Sequence, residues 1–211
     1  MKPAVGKPAG RGDYLLERRA RLIRPHLPDP RRTLLDYGCG TGYPSVEILK
    51  RMGDSGRLIA IDPVGALLDV ARKKAGNLSG KRIFFRSDSL TSKLSFAEDV
   101  YDLVISNVAL AKLEEPAAVI KEFARVTRPG GRVIVTLPLA GTFGEFYDIY
   151  REVLTKNDLH EVLERLEGHI ARSPDADEVG RWFEDAGLTS LNTEVEDFTR
   201  LFKPSREFFF A

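Results

Sequence analysis

The chain has 211 residues, 43% of them hydrophobic, which is enough to bury a core, and one domain is the default at this length. Its 32 basic and 31 acidic residues leave a net charge of +1, so nothing electrostatic favours nucleic acid or an anionic membrane as the main partner. The one cysteine, Cys39, leaves no internal disulfide and no cysteine-built metal site, and neither a spanning apolar run nor a signal-type leader is visible; a cytoplasmic protein without a metal or a membrane span is expected.

Residues 1–12 contain Pro3, Gly6, Pro8, Gly10 and Gly12 and no apolar period, the composition of a flexible lead-in. Asp13 is a candidate cap for a helix that places Leu15, Leu16, Ala20, Leu22 and Ile23 roughly on one face until Pro25 and Pro28 end it. The stretch TLLDYGCGTG follows at residues 33–42. Its apolar Leu34 and Leu35 lead into Asp36 and then into Gly38, Gly40 and Gly42 at alternate positions, which predicts a buried strand, a tight turn and a helix start. Glycine suits a backbone that turns sharply and approaches a ligand closely. The helix expected over residues 43–52 buries Val46, Ile48, Leu49 and Met52, and its N-terminal N–H groups favour a ligand with polar or anionic groups.

The glycine spacing separates two ligand classes. A dinucleotide loop places its third glycine three residues after the second; here the interval is two, and Tyr43 stands where that glycine would be. An acid at the carboxyl end of the strand suits an ammonium group and repels a pyrophosphate. On Asp36-x-Gly38-x-Gly40-x-Gly42 the stretch resembles motif I of the class I S-adenosylmethionine-dependent methyltransferases. The resemblance implies an α/β, three-layer Rossmann-like sandwich. Its sheet would be mostly parallel and seven-stranded, closed by an antiparallel C-terminal pair, with a helical lid insertion. It also implies S-adenosylmethionine as cofactor, held by Asp36 and by the loop residues Gly38, Cys39, Gly40 and Gly42. In such proteins the helix after Asp13 flanks the cofactor, so Tyr14 either covers the site or packs.

Residues 57–61, RLIAI, form a second buried strand ending in Asp62 and Pro63. Asp62 comes 20 residues after Gly42, where a carboxylate either accepts from both hydroxyls of a ribose or caps the helix expected over residues 64–75. A third strand, 82–86, ends in Ser87, Asp88 and Ser89. The resemblance puts Asp88 and Ser89 at the adenine; as residue types alone they are ordinary loop formers. The fourth strand, 101–106, is followed by NVALAKLEEP. Relatives often carry a His or an aromatic where this chain has Ala111 and Lys112, which removes the obvious base and leaves Asn107 as the polar residue at the strand tip. A helix over 116–127, the turn RPGG and a fifth strand over 132–137 complete the alternation.

Between residues 138 and 174 the alternation breaks into two amphipathic segments. Phe143, Phe146, Tyr147, Tyr150, Val153 and Leu154 mark one, and Leu159, Val162, Leu163, Leu166 and Ile170 the other. The resemblance makes this insertion a substrate lid; packing on the sheet is the plainer reading. A last helix over 175–187 precedes two short strands, 188–195 and 198–202, and the chain closes on Phe208-Phe209-Phe210-Ala211. Three adjacent Phe need a covering surface, and a homodimer through them is one way to supply it.

The resemblance together with these features implies a single methyltransferase domain over residues 1–211, expected to move a methyl group from S-adenosylmethionine to a small-molecule acceptor, small and largely apolar. The alternative is a catalytically silent relative acting as a binding or regulatory module. No catalytic residue is assigned: His26 precedes the first strand, and His160 and His169 lie in the insertion, on what reads as helix surface.

Overall fold

The computed structural model describes residues 33–52 and 54–197. Their centre is a five-stranded sheet in the order β3-β2-β1-β4-β5, made of β1 (Thr33–Tyr37), β2 (Arg57–Ile61), β3 (Ile83–Arg86), β4 (Tyr101–Asn107) and β5 (Thr127–Thr136). Every neighbouring pair is parallel. A parallel sheet is covered on both faces, and its central strands therefore read as nearly continuous apolar runs. Leu34, Leu35 and Tyr37 of β1 and Leu103, Val104 and Ile105 of β4 are all fully buried.

Successive side chains of a strand point to opposite faces, and the two cores follow that alternation. On one face Leu34, Leu58, Ile83, Leu103 and Ile105 pack with Val46, Ile48 and Leu49 of α1 (Ser45–Arg51) and Leu68 of α2 (Gly65–Ala75). On the other, Leu35, Tyr37, Ile61 and Val104 meet Val119, Ile120 and Phe123 of α3 (Pro116–Val126). Trp182 and Phe183 of α6 (Ala176–Asp185) close that second layer. The three-layer α/β sandwich expected from the sequence is thus present.

The register brings the carboxyl ends to one edge: Tyr37 stands opposite Ile61, Ile61 opposite Arg86, and Asn107 opposite Thr136. Because the chain goes from β1 toward β2 and β3 on one side and toward β4 and β5 on the other, the sheet's switch point lies between β1 and β4. That is where open α/β sheets bind ligands.

Three expectations are modified. The sheet has five strands among the described residues. Residues 188–197 run outside any ladder, with Leu191 and Val195 exposed, because a strand exists only through its pairing; the expected partner, 198–202, lies outside the described residues, so the antiparallel pair is not formed within them. β5 begins at Thr127, earlier than residue 132, because Thr127 already pairs with Tyr101 before the register shifts. Gly131 permits that shift: a Cβ there would lie 2.8 Å from the carbonyl oxygen of Arg128. The lead-in 1–12, the helix after Asp13 and the Phe208-Phe209-Phe210 cluster also lie outside the described residues.

The insertion does form two helices, α4 (Gly144–Lys156) and α5 (His160–Ile170). Leu154 and Leu166 are their buried residues, and Arg151 forks onto Glu167 through Nε at 2.5 Å and Nη2 at 3.0 Å. Phe146 touches Tyr147 and Tyr150 ring to ring. Ile149 and Val153 lie exposed on the same helix, so the pair is only partly covered by its own domain. Among the described residues no helix is long and apolar enough to cross a membrane.

Candidate functional site at the carboxyl edge of the sheet

The loop after β1 is built by backbone geometry. Gly38, Gly40 and Gly42 all have positive φ, at +76°, +51° and +83°, which other residues adopt only with strain. Their reasons differ. A Cβ on Gly38 would lie 2.2 Å from the Cβ of Ala109, in the 3₁₀ turn Ala109–Lys112 that follows β4. A Cβ on Gly42 would lie 2.9 Å from the Cβ of Ala71 in α2. A Cβ on Gly40 would meet nothing within 4 Å among the described residues. Two glycines therefore close the turn against its neighbours, and a Cβ on the middle one meets none of the described residues.

The N–H groups of Gly38 and Cys39 both donate to the carbonyl of Ile61, at 2.9 and 3.0 Å, which pins the loop across the end of β2. The Cys39 carbonyl accepts from Gly42 at 2.9 Å, and the Cys39 side chain is buried in the core beside α1. Burial and the nearby carboxylates of Asp36 and Asp62 push its thiol pKa well up. Cys39 is engaged by the turn and the core, and what it can present to a ligand is backbone.

Two acids stand beside the loop. The side chain of Asp62 accepts from the Gly40 N–H through Oδ2 and from the Val64 N–H through Oδ1, each at 2.9 Å. It therefore does what a cap does and also holds the middle glycine of the loop, while each oxygen keeps a further lone pair. Asp36, one residue short of the strand end, is 1% exposed. Its Oδ2 accepts from the Ser45 hydroxyl at the start of α1, and its Oδ1 has no hydrogen-bond partner among the described residues. Burial, assisted by the like charge of Asp62 and opposed by the Ser45 hydrogen bond, pushes its pKa up to about 7. A buried carboxylate in this state accommodates either a proton or a cation brought by a ligand.

The remaining expected residues are more dispersed. Pro63 is exposed beside Asp62. Asp88 pairs with Arg86 at 2.8 Å, and Arg86 also donates to the Ser95 hydroxyl at 3.0 Å and lies over the Phe96 ring. Ser89 is exposed next to them. Asn107, at the tip of β4, is 6% exposed; its Oδ1 accepts from the Thr136 hydroxyl at 2.5 Å and its Nδ2 has no partner. Val108 follows with φ +69°, a strained conformation for a β-branched residue. The fold thus gathers Asp36, the glycine loop and Asp62 tightly, and sets Asp88 and Ser89 in the loop after β3 and Asn107 at the end of β4. Lys112 is exposed. His160 and His169 lie on α5, His160 exposed and His169 in ring contact with Tyr147. Two polar residues of the site escape sequence reading: Ser45 and Thr136, each a hydroxyl that gains meaning only from the acid or amide opposite it.

A family model described as a methyltransferase domain matches residues 28–187, three quarters of the chain and all five strands. The chain belongs to the methyltransferase-domain family. Among curated proteins, this family member is 27% identical to a demethylmenaquinone methyltransferase of Staphylococcus aureus, over 78% of this chain and 70% of that protein. Its fold matches a Bacillus halodurans C-125 structure described as a methyltransferase, at 18% identity and a TM-score of 0.60, over 81% of this chain and 68% of the other. It also matches a geranyl diphosphate C-methyltransferase from Streptomyces coelicolor A3(2), at 17% identity and a TM-score of 0.59, over 81% and 59% of the two chains. The architecture is that of the class I S-adenosylmethionine-dependent methyltransferases.

Proposed function

We propose that the protein is an S-adenosylmethionine-dependent methyltransferase acting on a small, largely apolar acceptor. The observation that carries the reading is the buried carboxylate of Asp36, with Oδ1 unpartnered among the described residues, beside a glycine loop where a Cβ on the middle residue, Gly40, would meet none of them. A ligand with an ammonium group and a slim polar chain fits that donor set; a pyrophosphate does not.

Asp36 takes the ammonium group, and the backbone of Gly38, Cys39, Gly40 and Gly42 lies along the amino-acid portion. Asp62, already oriented by two N–H donors, accepts from the ribose hydroxyls, with Pro63 beside it. Asp88 and Ser89 stand toward the adenine, and Asn107 flanks the reacting end of the site. When bound, the cofactor supplies a sulfonium methyl already activated for displacement. The protein's share is then alignment of the acceptor and exclusion of water.

The apolar character of the acceptor is supported by the insertion, where Tyr150 of α4, Val162 of α5 and the residues preceding each helix, Phe143 and Leu159, are exposed. We read residues 138–174 as the lid over the acceptor. The names of the relatives point the same way, since one methylates a demethylmenaquinone and the other carries geranyl diphosphate in its structure. The seven-stranded sheet belongs to the same reading, with residues 188–195 and 198–202 as its closing pair.

Calorimetric titration with S-adenosylmethionine, S-adenosylhomocysteine and NAD tests the cofactor, and transfer of labelled methyl to a panel of prenylated quinols and prenyl diphosphates tests the acceptor. Binding of NAD in preference to the other two overturns the reading. Binding of S-adenosylmethionine with no transfer to any acceptor indicates the silent alternative.

A further inference from the structure

Ser45 is the first residue of α1 and is fully buried, an unusual place for a hydroxyl unless it has a partner. Its partner is Oδ2 of Asp36. Alternation along β1 turns Asp36 to the same face as Leu34, toward α1, which is why the two meet. On the sheet itself Asp36 stands between Ala60 of β2 and Ile105 of β4, whose side chains offer no donor. Among the described residues Ser45 therefore supplies the only hydrogen bond to a buried carboxylate that could accept several.

Among the described residues the charged and titratable surroundings are sparse. Asp62 adds a like charge from the end of β2, and Cys39 contributes a neutral thiol from the loop. The charge of Arg72, on α2, reaches Cys39, but its guanidinium is engaged with Asp69 and with the carbonyl of Phe85. Oδ1 of Asp36 is left without a partner among the described residues.

We propose that Ser45 is a positioning residue for cofactor binding: by donating to Oδ2 it fixes the Asp36 carboxylate and leaves Oδ1 as the oxygen that receives the cofactor's ammonium group. This rests on the reading of the site as one for S-adenosylmethionine. It adds a consequence that the loop motif does not contain. The ammonium group binds to the ionised carboxylate, and Ser45 favours that ionised form by hydrogen bonding to it. Ligand uptake near neutral pH then releases a proton from Asp36, and the Ser45 hydroxyl lowers the pH at which affinity levels off, against burial, which raises it most.

The test compares two ligands. S-adenosylhomocysteine carries the ammonium group; 5′-methylthioadenosine has the nucleoside and lacks it. Titrations between about pH 6 and 8.5, in buffers of different ionisation enthalpy, give affinity and proton release together. Ser45→Ala is expected to weaken S-adenosylhomocysteine about tenfold near neutral pH and to move the midpoint of its pH dependence upward, with 5′-methylthioadenosine unaffected. Ser45→Thr, which keeps the hydroxyl, is expected to restore both. If Ser45→Ala does not fold, Ser45→Cys, of similar volume and a much weaker donor, makes the same comparison.

Equal weakening of both ligands by Ser45→Ala shows a packing defect and overturns the proposal, as does no change in either. The underlying reading fails in a different way: wild-type protein then binds S-adenosylhomocysteine no better than 5′-methylthioadenosine, and Asp36→Asn leaves their ratio unchanged.

Discussion

The backbone N–H of Gly40 donates to Oδ2 of Asp62 at 2.9 Å, so the acid at the end of β2 shapes the loop at the end of β1 in addition to the ribose-binding role proposed for it. Asp62→Ala is therefore expected to have two effects. Loss of charge-assisted hydrogen bonds to the ribose weakens S-adenosylmethionine by roughly 1.5–3 kcal/mol. Loss of the acceptor for Gly40 and Val64 lowers the stability of the ligand-free protein by about 1–2 kcal/mol. Calorimetry and thermal unfolding separate the two; unchanged affinity in a destabilised variant would leave Asp62 as a cap and loop anchor only.

Gly38 and Gly40 differ in what a side chain would strike, and alanine substitution should expose the difference. Gly38→Ala adds overlap with Ala109 to an unfavourable φ, and is expected to cost roughly 3 kcal/mol or more. The added change Ala109→Gly recovers part of that loss, since it removes the atom that is struck. Gly40→Ala pays only backbone strain, about 1–2 kcal/mol, and should remain folded while its Cβ intrudes on the ligand side and weakens cofactor binding. Denaturant unfolding of the three variants checks the order.

Asp36 links stability to pH in an unusual direction. Its pKa is about 7 in the fold against an ordinary value of 3.8, so between these values the folded state holds a proton that the unfolded chain has released. Stability of the ligand-free protein then falls as pH rises from about 4 to about 7, by an amount on the order of 4 kcal/mol at most. Asp36→Asn should flatten that slope. Saturating S-adenosylmethionine should reverse it, because the bound ammonium group favours the ionised form. Melting curves across this range, with and without ligand, give the answer.

Glu122 on α3 ties down the segment that follows β3. Its carboxylate accepts from the N–H of Leu94 at 2.9 Å and from Arg125 at 2.7 and 2.8 Å, while Arg125 donates to the carbonyls of Leu94 and Phe96. Arg125 holds the Glu122 pKa below its usual value. The contribution of this carboxylate is therefore full above the ordinary glutamate pKa and is lost as pH falls through the lowered one. Glu122→Ala should destabilise by about 1–2 kcal/mol and speed amide exchange in residues 91–98, leaving β1 and its loop protected.

The insertion offers a direct check on its role. If residues 138–174 form a lid, amide exchange in α4 and α5 is faster than in β1 and β4 without ligand and slows when cofactor and acceptor analogues bind. Protection equal to that of the central strands, with no response to ligand, would make the helix pair part of the core.

The sequence alone carried the strand order's raw material and the loop at the centre of the candidate site. Apolar runs such as Leu34-Leu35 and Leu103-Val104-Ile105 mark buried parallel strands, and Asp36, the alternating glycines and Asp62 mark the loop, because a turn with positive φ and an acid at a strand end are local requirements that local residues must meet. Tertiary structure decided what depends on a partner far along the chain. Gly38 is glycine because of Ala109, 71 positions later; Ser45 has a purpose only because alternation turns Asp36 toward α1; Thr136 serves Asn107 from the neighbouring strand. The expected strand over 188–195 is likewise a matter of pairing, and its expected partner, 198–202, lies outside the described residues, whereas the start of β5 at Thr127 came from pairing with Tyr101 that no local pattern announces.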